Sequence, residues 1–255
     1  MPAIFFGHGS PINAIAENDY TRALRSFGKN LPKPKAIVMI SAHWETTGTW
    51  ITGVQHPKTI HDFGGFPDEL YQIQYPAVGH PKLAKEIAAM LIDQEIAVDI
   101  DQWGLDHGTW AVLRHVYPDA DVPVLQLSLD HNQPTAYHYA LGQKLAPLRE
   151  QGVMLMGSGN IVHNLRKINW KIDAQPYDWA IAFDQWAKNK ILTRDFQPLI
   201  SDVGTMPEGK LSIPTWEHYL PLLYILGAST EKDTIDFIFE GYQNASMSMR
   251  CLSFR

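Results

Sequence analysis

An α/β fold, a central mainly parallel or mixed sheet flanked by helices on both faces, is predicted from three observations. Short continuous apolar runs recur along the chain without period-two alternation, which suits strands covered on both faces. Segments of helical spacing lie between them, and the alternation of the two is the mark of parallel strands joined by crossovers. Several runs end in small-residue or aromatic clusters, the places where an open α/β sheet collects its functional side chains.

Ala3 to Phe6 reads as a short buried strand halted by Gly7 and Gly9, and Asp19 to Phe27 as a helix. Ala36 to Ile40, an unbroken apolar run after Pro34, is expected to be a central strand, and Trp50 to Val54 another. Pro81 to Gln94 sets Leu83, Ile87, Met90 and Leu91 on one helical stripe, and Ala97 to Ile100 has strand character. Val122 to Leu129 and Val153 to Met156 are further strands on either side of a helix from Pro134 to Arg149. Tyr177 to Leu192 reads as an aromatic-rich helix and Tyr219 to Leu226 as an apolar one. Ile235 to Phe239 and Met247 to Phe254 are expected as antiparallel edge strands.

The 255 residues suffice for one large domain, and no linker divides residues 1–255. A formal charge of −6 argues against nucleic acid as a partner, because neutralising phosphates needs a surplus of Lys and Arg. No apolar stretch approaches the ~20 residues of a membrane span, and the first residues lack the basic start of a signal sequence. With a single cysteine, Cys251, no internal disulfide is possible. A cytoplasmic protein, monomeric or a small homo-oligomer, is expected.

Four of the 11 histidines stand in clusters that read as loops at strand ends, and together they suggest a metal site. His8 lies in Gly7-His8-Gly9-Ser10-Pro11, where two glycines let the backbone turn sharply. His43 lies in Ser41-Ala42-His43-Trp44-Glu45, with Glu45 on the same face if the strand continues. Glu45 is then a ligand, a partner orienting an imidazole, or a solvated carboxylate, the last being the plainest reading. His163 follows Gly157-Ser158-Gly159-Asn160 and is expected in the first turn of a helix, whose dipole would keep the imidazole neutral. His218 sits beside Glu217, and only one of the two is expected to face the site. Glu217 would complete the two-histidine, one-carboxylate set of non-haem iron oxygenases, whereas His218 would give an all-histidine site suited to zinc or iron.

His107, in Gly104-Leu105-Asp106-His107-Gly108-Thr109-Trp110, is a fifth candidate before a helix capped by Asp106 or Thr109. His56, His80, His115, His131 and His138 lie in polar or helical contexts and are read as structural or surface residues. Motifs of zinc proteases, zinc fingers, serine hydrolases and dinucleotide binding are absent.

The five clusters, in this order, resemble the class III extradiol ring-cleavage dioxygenases of the LigB type, in the 4,5-DOPA dioxygenase branch. The resemblance implies a metal cleft at the strand ends, with His8, His43 and His218 as metal ligands. It implies His163 as the acid/base residue and possible fourth ligand, and His107 lining the oxygen and substrate pocket. It further implies Fe(II) for ring cleavage, Zn2+ in the protein as isolated, and a catechol with O2 as reactants. Trp44, Trp110 and Tyr219 are candidates for the apolar wall against the catechol ring. A non-oxidative metal-binding or signalling protein on the same scaffold, or a zinc hydrolase, are the competing readings.

Overall fold

The computed structural model describes residues 1–255. Its strands are β1 Ala3–Gly7, β2 Ala36–Thr46, β3 Trp50–Thr52, β4 Ala97–Asp99, β5 Val124–Asp130, β6 Val153–Gly159, β7 Ile235–Phe239, β8 Tyr242–Gln243, β9 Met247–Ser248 and β10 Cys251–Phe254. The helices are α1 Asp19–Gly28, α2 Asp68–Tyr71, α3 Pro81–Met90, α4 His107–Val116, α5 Thr135–Leu145, α6 Asp178–Leu192, α7 Gln197–Ser201, α8 Pro207–Ser212 and α9 Leu220–Ala228. Eight strands form one mixed sheet in the order β4-β3-β5-β2-β6-β1-β10-β7, and β8 with β9 forms a separate small ladder.

The middle of the sheet, β5-β2-β6-β1, is wholly parallel, so the carboxyl ends of β2, β6 and β1 lie side by side. Consecutive residues of these strands feed opposite cores, as the continuous apolar runs require. Phe5, Val38 and Leu155 pack with α3, α5, α6 and α9 on one face, and Phe6, Met39 and Met156 pack with α1 and α4 on the other. Every residue of β1, β5 and β6 is buried.

Four expectations are corrected. Strand β2 runs past Ile40 to Thr46, and its register with β5 breaks between Ile40 and Glu45. The predicted helix Pro81–Gln94 ends at Met90, which is exposed, so the buried stripe is Leu83, Ile87 and Leu91 alone. Met247–Phe254 is two strands, and β10 is not an edge but lies between β1 and β7. His163 is outside any helix: its segment makes a bridge to Met247 and then a single 3-10 turn at Leu165–Lys167.

Candidate metal centre

The turn after β1 carries His8 inward because its backbone is pinned from two sides. Its N–H donates to the Gly159 carbonyl at 3.0 Å, which extends the β1–β6 pairing by one residue. Gly9 then turns away at φ +62, donating to Asn160 Oδ1, where a side chain would also strike Met249. His43 lies in the stretch of β2 whose pairing with β5 is interrupted. There Ser41 Oγ donates at 2.7 Å to Asp106, the residue that caps α4 by accepting from the Thr109 N–H. One cap thus joins the β2 strand end to the helix that begins with His107.

His163 is fixed by its N–H donating to the Ser212 carbonyl at 2.9 Å, and His218 by its carbonyl accepting from the Asn160 N–H at 2.8 Å. The structure therefore brings all five predicted histidines together. His8, His43 and His107 offer ring nitrogens within 4.8 Å of one another, and His163 and His218 do the same with a Glu217 oxygen. The ring centroids of His8, His43 and His218 form a nearly equilateral triangle with sides of 5.0, 5.3 and 5.1 Å. The other two rings flank it: His107 leans on His43 at 3.9 Å, and His163 stacks on His218 at 3.5 Å with planes 9° apart.

Hydrogen bonds select which nitrogen faces the centre. Ser158 gives its one hydroxyl proton to the Gly108 carbonyl at 2.6 Å, so at 2.9 Å it must accept from His8 Nδ1–H. The Asp62 carboxylate stands 2.9 Å from His107 Nδ1 and 3.3 Å from His43 Nδ1, and Glu217 Oε1 stands 3.1 Å from His218 Nδ1. A carboxylate only accepts, so the hydrogen-bonded Nδ1 atoms of His107 and His218 carry protons, which in a neutral ring leaves the lone pair on Nε2, whereas the Asp62–His43 approach is a charge contact and not a hydrogen bond. His8 and His43 face Nε2 to Nε2 at 3.1 Å, an approach that a shared cation or a shared proton satisfies. Three imidazoles on one tetrahedral ion with bonds of about 2.0–2.1 Å would place their centroids roughly 5 Å apart, which the triangle satisfies.

Burial, and then the neighbouring imidazoles, hold the pKa values of His8 and His218 well below the usual histidine range. His43 is lowered by the same causes, burial first, although Asp62 opposes the shift. His163 falls to about 4, through burial and then His107. The expected cause of its neutrality, a helix dipole, is thus replaced by desolvation. Burial works to raise Asp62, but its hydrogen bonds to His107 and the proximity of His43 outweigh this and bring it to about 2.

Glu217 departs from the sequence reading. Because Pro214–Tyr219 is a turn rather than a strand or helix, Glu217 and His218 are not divided between faces, and the carboxylate binds its neighbour's Nδ1 and the Thr215 hydroxyl. Glu45 is exposed, with a carboxyl raised by partial burial and then by Glu217. The aromatic wall also differs. Trp44 stacks on Trp103, and Tyr219 is wholly buried with its hydroxyl on the Leu199 carbonyl, whereas Trp110 meets Phe63 of the Asp62–Pro67 loop. Phe63 stands edge-on to His107 at 5.5 Å and gathers Phe66 and Tyr71 around it. His115 and His138 are buried structural residues, bound to the Asn13 carbonyl and the Tyr224 hydroxyl.

Two partners escaped the sequence reading. Ser158 offered a signal, a polar residue inside an apolar strand that must find a partner once buried. Asp62 offered none, since nothing local ties it to a histidine 45 residues away.

Residues 3–249 match the family described as "Catalytic LigB subunit of aromatic ring-opening dioxygenase". The chain is 48% identical over 252 residues to the 4,5-DOPA dioxygenase extradiol of Escherichia coli (strain K12), covering 98% of this chain and 93% of that protein. It is 37% identical over 249 residues to the 4,5-DOPA dioxygenase extradiol of Beta vulgaris, covering 96% and 92%. The crystal structure of an uncharacterized protein from Escherichia coli K12 matches with a TM-score of 0.88 and 42% identity over 100% of both chains.

Proposed function

Because the chain belongs to the LigB family of aromatic ring-opening dioxygenases, we propose that residues 1–255 act as one catalytic domain in which His8, His43 and His218 hold the metal, His163 moves the proton and His107 positions the reactants. The protein is a metal-dependent extradiol dioxygenase that opens a catecholic ring with O2. The near-equilateral triangle of His8, His43 and His218 carries the ligand assignment. His107 does not share that symmetry, being 3.9 Å from His43 but 5.6 Å from His8. His163 lies parallel to His218 at 3.5 Å, so an ion in the plane of one ring is too far from the plane of the other for a bond of about 2.1 Å. That favours a proton-transfer role for His163 over a fourth metal bond.

When bound, the metal supplies Lewis acidity that makes the catechol hydroxyls better acids and, as Fe(II), the electrons that dioxygen requires. The chain's own residues do the rest. A catechol packs against the Phe63 ring, which the buried Trp110 backs and which helps to exclude water. His163, neutral at ordinary pH with a pKa of about 4, accepts the proton that a hydroxyl must lose and returns it as the ring opens. His107 presents Nε2 to the reactants, because Asp62 occupies its other nitrogen. The ring bond beside one hydroxyl-bearing carbon breaks, and both atoms of O2 enter the semialdehyde product.

The preferred substrate class is DOPA and similar catechols, following the names of the relatives. Fe(II) is the working metal, and Zn2+, which all-imidazole sites bind more tightly, occupies the isolated protein. No helix is long and apolar enough to cross a membrane, and we assign the protein to the cytoplasm as a monomer or small homo-oligomer. The non-oxidative and zinc-hydrolase readings are not favoured, since Glu217, the carboxylate by His218, is committed to His218 and Thr215.

Anaerobic reconstitution with Fe(II), followed by oxygenated DOPA, tests the reading: one O2 consumed per yellow ring-fission product is expected. No oxygen uptake across a catechol panel would refute it, and uptake with other catechols alone would refute only the substrate.

A further inference from the structure

The loop that covers the reactant side of the site is fastened by one carboxylate. Asp62 Oδ1 accepts from the His107 backbone N–H at 2.9 Å, Oδ2 accepts from His107 Nδ1 at 2.9 Å, and the same Oδ2 lies 3.3 Å from His43 Nδ1. Its side chain is only 16% exposed although its backbone runs along the surface. The next residue, Phe63, reaches His107 and Trp110, and Gly64 and Gly65 follow, the latter at φ +78.

We propose that Asp62 is a positioning residue that sets the tautomer of His107, turning its Nε2 lone pair toward the reactants, places its negative charge beside His43, and makes this setting depend on the seated position of the Phe63 loop. A carboxylate has no proton to offer, so His107 must approach it with Nδ1–H. The amide of Asn in its place has one oxygen and one NH2. With the NH2 toward His107 it donates to Nδ1, and the proton of that ring moves to Nε2, where it blocks a contact with substrate; either way the charge beside His43 is lost. A loop displaced with Phe63 takes the carboxylate from His107, so substrate packing and site preparation are one equilibrium.

The consequence for catalysis rests on the dioxygenase reading, but the protonation pattern does not, and it is read on the metal-free protein. Long-range 1H–15N spectra of imidazole-labelled protein are expected to show His107 protonated at Nδ1 and unprotonated at Nε2. In Asp62→Asn the His107 pattern is expected to change. Zinc affinity of the same variant, measured by competition with a chromophoric chelator, should fall about 10- to 100-fold, as is usual when a carboxylate behind a metal-binding imidazole is lost. Phe63→Ala, which leaves the carboxylate in place but unseats the loop, should give a mixture of the two His107 tautomers. A wild-type His107 protonated at Nε2, or unchanged tautomers and zinc affinity in Asp62→Asn, would overturn the proposal. Correct tautomers in a protein that cleaves no catechol would instead count against the proposed function alone.

Discussion

Adding one methyl group at Gly159 should damage the metal centre without touching a histidine side chain. Gly159 ends β6 where the turn holding His218 crosses it, and a Cβ there would sit 2.1 Å from the His218 carbonyl oxygen and 3.3 Å from Pro221 Cγ. Ordinary contact begins near 3.4 Å, so about 1 Å must be found, and the partner is backbone rather than a flexible side-chain end. The same carbonyl accepts from the Asn160 N–H at 2.8 Å, so strand and turn cannot separate without losing that bond. Metal–ligand distances tolerate only about 0.2 Å, and a shift of a few tenths of an ångström at His218 Nε2 exceeds it. Gly159→Ala is therefore expected to bind zinc at least about tenfold more weakly and to lose about 1–3 kcal/mol of stability, a Tm fall of several degrees for a chain of this size. Chelator competition and a thermal melt measure the two quantities. A Gly159→Ala protein with unchanged zinc affinity and melting temperature would refute the reasoning that this backbone crossing sets His218.

His163→Ala should keep its metal content and lose about 10²–10⁴ in kcat, the usual share of a general acid/base, while loss of the metal would make the residue a ligand. Arg250, wholly buried, forms ion pairs with Asp184 and Glu240, and Arg250→Met should cost about 3–5 kcal/mol in urea unfolding because Asp184 is left buried and unpaired. His138 has a folded pKa of about 4 against 6.5 unfolded, because burial outweighs the opposing Gln133 backbone hydrogen bond and the charge of Asp130. The unfolded chain takes up this proton first, so the stability is intact above pH 6.5, declines as pH falls, and levels off below about 4. His138→Gln should shallow that acid-side decline by up to about 3 kcal/mol in urea titrations at pH 7 and pH 4.5.

Much of this architecture was legible locally. The unbroken runs Ala36–Ile40 and Val153–Met156 read as doubly covered strands because both faces of β2 and β6 are buried. The five histidines stand out because each sits in a small-residue or aromatic cluster. What could not be read depends on contacts between distant segments. His163 after Gly-Ser-Gly-Asn looked like a helix start, yet its N–H is claimed by Ser212 across the fold. Strand or helix geometry divides Glu217 and His218 between two faces, and the turn at Pro214 obeys neither. Tyr219 looked like part of an aromatic wall, but α9 carries it into the core against Phe183. Asp62 belonged to a loop with no periodicity to interpret.

The division of five clustered histidines into three that hold a metal and two that act beside it is the central claim. Anomalous diffraction at the metal edge from crystals of the zinc- or iron-loaded protein tests it most directly. The account predicts one peak within bonding distance, about 2.0–2.2 Å, of Nε2 of His8, His43 and His218, with His163 and His107 beyond it. A peak bonded to His107 in place of His218, or to His163 as a fourth protein ligand, would contradict it.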